Sequence, residues 1–363
     1  MEEYDIDLEE ALGVAIEAAR KAGNIMWEFY QYRREAVAAD AARAFRDDNS
    51  NDNNNTDSSR SGKATALLGV VEKSSSTDLV TKYDKMCDEA ITKILKRFSA
   101  GVERAKQEAG FSSFTFNFIT EEICPDAPLT DAPTWIVDPI DGTMSFVHGA
   151  CDCCVSIGLT IRKVTVLAVV YCPFLSPVRN ALTGSVSNFP VGEMYTAIRG
   201  KGAFLNGHPI RPRLDATPEN AMVVFNYPTN ARLSDVEKQA SVEQHNAIKK
   251  QKHEKIIEAA SHIRRKLVRH PVQGLRGYGA CVLILAQIAA GRVDLYMEPA
   301  GMVWDVCAGS LLVTEAGGVV KNIWGESFGM EGSTTIVAAA NETIAAFGAQ
   351  LCTEVKYGDF WLK

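Results

Sequence analysis

No stretch of this chain reaches about 18 uninterrupted apolar residues, so no membrane-spanning helix is expected. A long lysine or arginine run is also missing, and the net charge of −7 gives no broad attraction for nucleic acid or anionic lipid. An anionic ligand therefore needs a local source of positive charge. The opening segment MEEYDIDLEEALGVAIEAARKAG lacks the basic stretch and apolar block of a secretory signal. Cysteines number nine, an odd count that points to reduced thiols in a cytoplasmic protein. Their tightest group, Cys151, Cys153 and Cys154, has no second pair at zinc-ligand spacing, which leaves core packing as the expected role. None of the six histidines has a partner at metal spacing, and His148 is given no role. A Ser-His-Asp arrangement and an Arg-flanked active cysteine are likewise not evident.

What is present is a large apolar complement, 46% of 363 residues, enough for a sizeable core. Leu8, Leu12, Ala15, Ala19, Ala22, Met26 and Phe29 recur at helical steps and predict an amphipathic helix from Leu8 to about Tyr32. A second is predicted from Thr81 to Phe98, and two more over 279–291 and 305–316. Between them TFNFIT, TWIVDPI, VSIGLTI, VTVLAVVYC, GEMYTAI, AMVVFNY, VDLYME, GGVVKNI and STTIVAAA read as strands. Interleaved helices and strands mean a layered α/β or α+β protein. Two insertions are expected in a single domain over 1–363. The tract at about 36–63 is rich in Asn, Asp and Ser and reads as disordered, since it lacks the spaced ligands of a calcium loop. The stretch at about 232–267, rich in Lys, Glu, Gln and His, reads as a solvated helix.

The strongest chemical signal is Trp135-Ile136-Val137-Asp138-Pro139-Ile140-Asp141-Gly142-Thr143. A buried strand ends in Asp138, Pro139 stiffens its exit, and Gly142 tolerates a sharp turn, so two carboxylates can face one point. Oxygen ligands at that spacing suit a hard divalent cation. The N–H groups of Gly142 and Thr143, if they open a helix, can meet a phosphate oxygen. In the haloacid-dehalogenase phosphatase motif the aspartates stand two apart; here they stand three apart, which breaks that nucleophile arrangement. Glu121-Glu122 and Asp305 end further apolar runs, with an N-cap as the bland reading of Asp305. So many acidic groups gathered at strand ends need cations to neutralise them.

The segment Asp138 to Thr143, Trp304-Asp305 and the upstream Glu121-Glu122 resemble the three signature motifs of inositol monophosphatases. Lys73-Ser74-Ser75, Asp78 to Asp84, Gly200 to Gly207 and Thr314 to Gly318 also resemble family segments, in the right order. The resemblance covers most of the chain outside 35–63, about 173–192 and part of 232–262. It implies an αβαβα sandwich, commonly a homodimer, with two to three Mg²⁺ ions in each active site. Residue by residue, it makes Glu121, Asp138 and the Ile140 carbonyl ligands of a first Mg²⁺. Asp138, Asp141 and Asp305 would hold a second, and Glu121 and Asp84 would lie near a weaker third. Thr143 would orient the attacking water with Lys73 close to it. Asp141, Gly142, Thr143, Gly279, Ala280 and Glu298 would meet the substrate.

The implied activity is hydrolysis of inositol monophosphate by direct attack of water, with lithium sensitivity. Charge cancellation by metal is what a phosphate dianion requires of an acidic protein. Ala280 stands where the family usually has Thr or Ser, and Met144-Ser145 replace the commoner Thr-Asn, which leaves histidinol phosphate, a nucleotide 3′-phosphate or fructose 1,6-bisphosphate as alternative substrates. An inactive scaffold of the same fold is the reading from outside enzymology. The Gly200-Lys201-Gly202 run is expected to be a sheet turn rather than a phosphate loop.

Overall fold

Seven strands form the larger sheet in the order β3-β4-β5-β6-β7-β8-β9: Asn117–Thr120, Thr134–Asp141, Cys154–Ile161, Val164–Cys172, Glu193–Ile198, Ala203–Leu205 and His208–Pro209. Only β3 and β4 pair in parallel there. A smaller sheet has the order β11-β10-β12-β14-β13, from β10 (Met222–Val224), β11 (Gly274–Arg276), β12 (Leu295–Glu298), β13 (Val319–Lys321) and β14 (Ile336–Ala339). A separate antiparallel pair joins β1 (Val71–Ser75) to β2 (Asp78–Val80). This computed structural model describes residues 6–47, 71–75, 78–80, 82–110, 114–175, 192–226, 242–270, 272–299, 301–330 and 334–356; for 36–37, 39–47, 71–75, 78–80, 242–245 and 249 the description is of backbone alone.

Successive side chains on a strand face opposite ways, so each sheet offers two faces. On one face of the larger sheet Val137, Val155, Ile157 and Val169 meet α1 (Leu8–Asp47) and α2 (Lys82–Glu108) through Ala15, Met26, Ile91 and Leu95. On the other, Ile136, Ala168 and Val170 meet α5 (Cys281–Ala289) and α6 (Val303–Glu315), which also pack on Tyr296, Ile336 and Ala338 of the smaller sheet. The last face, with Val223, Leu295, Met297 and Val337, is closed by α4 (Val242–Arg269) and α7 (Glu342–Glu354). The order is helix, sheet, helix, sheet, helix, the αβαβα sandwich the sequence led us to expect. The middle helices lie between two apolar faces, and α5 accordingly buries every residue except the partly buried Gln287. They also approach closely: a Cβ added at Gly309 of α6 would stand 2.4 Å from Leu285 of α5.

Several elements differ from expectation, among them α2, which runs on to Glu108 past its expected end at Phe98, and the strands β1, β2 and β11, which were not anticipated. Helix α1 runs on to Asp47 because AVAADAARAF is rich in alanine, the best helix former, so residues 36–47 of the expected disordered insertion are helical and 48–63 lie outside the described residues. Helix α4 is not merely solvated: Ile256, Ala260, Ile263 and Leu267 form a buried stripe on the smaller sheet, while 232–241 lie outside the described residues. Helix α7 was not anticipated. Its start was nonetheless written in Asn341, whose side chain accepts the Ile344 N–H at 3.0 Å as an N-cap.

Candidate active site

Residues three apart on a regular strand point to opposite faces, yet Asp138 and Asp141 converge. The reason is a bulge: Asp138 pairs with Ser156 of β5 and Asp141 with Cys154, so one extra residue sits between them on β4. Pro139 lies in that bulge, where its missing N–H costs no regular ladder bond. Asp138 then accepts the N–H of Ile140 at 3.1 Å. Asp141 reaches into the next layer and accepts the N–H groups of Cys281 at 3.2 Å and Val282 at 2.6 Å, closing the start of α5.

Two further acids complete the cluster. Asp305 stands third in α6, not at its N-cap, and accepts the Met302 N–H at 2.5 Å. One carboxylate oxygen each from Asp138, Asp141 and Asp305 lies within 4.8 Å of the others. Glu121 leaves β3 beside β4, held by its N–H to the Val137 carbonyl at 3.1 Å, and its carboxyl shares a hydrogen bond with that of Asp138. Such a bond between two carboxyls needs a proton. Burial pushes the Asp138 carboxyl well above its ordinary range, and the charges of Glu121, Asp141 and Asp305 add to that. Asp141 is raised in the same way, first by burial and then by Asp305, against the pull of the Val282 N–H.

Beside this cluster the Thr143 hydroxyl lies 3.0 Å from the buried Asp84 carboxylate of α2 and 3.2 Å from the Ile140 carbonyl. Gly142 opens α3 (Thr143–His148) at φ 89°, a left-handed conformation that disfavours other residues. A Cβ there would also stand 2.8 Å from the Asp152 carbonyl and 3.2 Å from the Ala280 side chain. The two loops thus meet at a position where glycine is needed twice over.

Ala280, the N-cap of α5, is fully buried, so its own side chain faces packing rather than solvent. The Gly279 N–H is taken by Asp152 at 2.9 Å. Glu298, partly buried at the end of β12, accepts the Tyr296 hydroxyl at 3.0 Å. Tyr296 in turn is hydrogen-bonded to Cys281, so a chain of side chains links Glu298 to the helix start that Asp141 closes. Lys73 lies in β1, and its side chain is outside the described residues.

The remaining motifs are structural. Gly200 and Gly202 form the turn between β7 and β8, and both donate their N–H groups, each at 2.9 Å, to the carboxylate of Glu315 at the end of α6. Cys153 and Cys154 are buried, Cys151 is exposed, and all nine cysteines are free thiols. Asp88, Asp152 and Tyr296 were not singled out from the sequence. For Asp88 a signal existed: it stands four residues after Asp84, on the same helix face.

A sheet bulge with two buried aspartates and a facing helix with a third, partly buried one, inside an αβαβα sandwich, define an acidic scaffold able to hold a metal. The inositol monophosphatase family profile matches residues 7–356. Inositol monophosphatase 2 of Solanum lycopersicum is 34% identical over 340 residues, 92% of this chain and 94% of that protein. Inositol monophosphatase 1 of Bos taurus is 31% identical over 282 residues, 77% and 83% of the two chains. Among solved structures, the extragenic suppressor protein suhB from Bartonella henselae superposes with a TM-score of 0.63 at 25% identity, covering 96% of this chain and 99% of that one. This chain belongs to the inositol monophosphatase family, and it is a phosphatase of that kind.

Proposed function

We propose that this protein is a Mg²⁺-dependent phosphomonoesterase that hydrolyses inositol monophosphate to inositol and phosphate by direct attack of water. The observation that carries the reading is the convergence of Asp138, Asp141 and Asp305 within 4.8 Å, with Glu121 hydrogen-bonded to Asp138. The donor set fits a hard cation: every ligand is an oxygen, and the burial and mutual repulsion that raise Asp138 and Asp141 are what a divalent ion would cancel. Glu121, Asp138, the Ile140 carbonyl, Asp141 and Asp305 would hold two to three ions. When bound, these supply Lewis-acid activation of water and neutralisation of the departing oxygen.

The protein's own groups do the rest. With its proton donated to Asp84, the Thr143 hydroxyl keeps its lone pairs for a water molecule, which it orients for attack. Asp84 sets that orientation through Thr143. Glu121, ionised when the cluster is neutralised, accepts a hydrogen bond from the same water. The N–H groups of Gly142 and Thr143 face the phosphate, and the Asp141 side of the loop borders the ester. Gly279 and Ala280 contribute shape and backbone to the wall. Glu298, held by Tyr296, accepts a hydrogen bond from a ring hydroxyl. Lys73 belongs to the water network on the strength of the family pattern, and lithium inhibition and a homodimer rest on the same pattern, whereas a cytoplasmic location rests on the nine cysteines.

A panel of phosphate esters assayed with Mg²⁺ tests the proposal. Inositol monophosphate should be turned over best, with activity lost in excess chelator and restored by Mg²⁺. Turnover that persists in chelator would sink the mechanism. Higher kcat/KM for histidinol phosphate, a nucleotide 3′-phosphate or fructose 1,6-bisphosphate would replace the substrate while keeping the chemistry.

A further inference from the structure

Helix α2 carries two buried aspartates one turn apart, Asp84 and Asp88, and they reach in different directions. Asp84 meets the Thr143 hydroxyl, as described above. Asp88 meets the turn that leaves β3. Its Oδ2 accepts the N–H of Glu122 at 3.2 Å and of Ile123 at 3.1 Å, and its Oδ1 accepts the Thr92 hydroxyl at 3.0 Å. The Thr120 side chain adds a fourth hydrogen bond. That same hydroxyl oxygen lies 3.2 Å from the Cys124 N–H and 3.3 Å from the Ile123 N–H.

The pattern has a chemical requirement. Where β3 ends, its backbone amides lose ladder partners; Glu122 is partly buried and Ile123 exposed, so the group that must be paired is the fully buried Asp88 carboxylate, and these amides supply its donors. Four donors converge on one side chain, and only an ionised carboxylate offers two acceptor oxygens and no donor. An asparagine of the same shape would turn an NH₂ group toward one set of donors. Burial raises the Asp88 carboxyl, and the four hydrogen bonds oppose that shift. The turn so fastened begins with Glu121, whose own N–H is fixed on β4 and whose carboxyl faces Asp138.

We propose that Asp88 is a positioning residue whose carboxylate locks the turn that presents Glu121 to the acidic cluster, so that one helix sets the site from two sides. The inference rests on Glu121 being a working member of the site, as proposed above. Asp88→Asn is the direct test, read first by amide hydrogen exchange of the metal-free full chain. Exchange over residues 121–124 should accelerate by at least about tenfold, while peptides from β4 and α6 keep their protection. The Mg²⁺ dissociation constant measured by calorimetry should rise about ten- to a hundredfold, as expected when support for a ligand is lost. Asp88→Glu, which keeps both acceptor oxygens, should fall between the two, and it stands in if Asp88→Asn does not fold. In steady-state kinetics Asp88→Asn should add little to Glu121→Gln, because both act through one group. Unchanged protection of 121–124, or losses that simply multiply in the double variant, would overturn the assignment. Because exchange is read without metal or substrate, it separates this inference from the proposed reaction: a fully active Glu121→Gln would overturn the role of Glu121 in that reaction, and with it the catalytic half of the present inference.

Discussion

The floor and the wall of this site are built by different means. Glu121, Asp138 and Asp141 come from adjacent strand ends of one sheet, brought together by a bulge of a single residue. Asp305 joins that floor from α6, whereas Gly279 and Ala280 come from the start of α5 and Glu298 from the end of β12, brought to the floor by the packing of the middle helices between the two sheets. A local backbone device makes the Asp138–Asp141 pair of the floor, so that much of its chemistry belongs to a contiguous motif. The wall depends on layer packing, and side-chain identity alone says less about it. Changes to the floor should therefore act on every substrate alike, and changes to the wall should discriminate among substrates.

The sharpest test of that division is Asp138→Asn. Ligand support alone is worth ten- to a hundredfold in metal affinity, so loss of a ligand should lower kcat/KM by more than about a hundredfold, equally for inositol monophosphate and a simple aryl phosphate. Selective loss on one ester would break the comparison. Next comes Glu298. Removing a charged hydrogen-bond partner costs about 1.5–3 kcal/mol, so Glu298→Ala should impair the polyol ester roughly ten- to a hundredfold more than the aryl ester. Glu298→Gln retains an acceptor for the Tyr296 hydroxyl and separates loss of charge from loss of the anchored position. Equal loss on both esters would move Glu298 from the wall to the floor.

The smallest effect concerns stability against pH. Burial and like charge raise Asp138 and Asp141 in the folded, metal-free protein, whereas in the unfolded chain they titrate near about 3.9. Between the ordinary and the raised values the folded state binds more protons, so these residues favour folding at low pH and lose that contribution as pH rises through the window. Relative to wild type, Asp138→Asn in chelator should flatten the fall in stability by up to about 1.4 kcal/mol per pH unit. Thermal melting followed by circular dichroism across that range reads it. Identical pH slopes for the two proteins would show that Asp138 is as ionised in the folded, metal-free state as in the unfolded chain, and so is not raised.

Much of this contrast was legible beforehand. The Asp138–Thr143 segment disclosed a carboxylate pair because Pro139 and Gly142 announce their backbone geometry in their own covalent structure. The layered fold followed from apolar strand runs alternating with helical periods. Less was legible where partners are distant. Nothing near Ala280 indicates that Gly142 packs against it, and nothing near Gly200 indicates that Glu315, from another layer, fills the turn. The extension of α1 was missed because a helix can continue on alanine propensity after its apolar period has faded. Helix α7 was missed although ETIAAFGAQLCTE is apolar enough to bury Ile344 and Leu351.

Asp141 faces two ways at once. Its two oxygens hold the first amides of α5, and they also belong to the acidic cluster. Whatever changes the charge of the cluster therefore changes the grip on α5, the helix wedged between the sheets. A proton taken up by Asp141 weakens its bonds to those amides, and a cation competes with them for the same lone pairs. Occupancy at the floor and the seating of the middle layer are thus one coupled equilibrium: the small chemical event at a strand end is registered as strain or relief in the joint between two sheets.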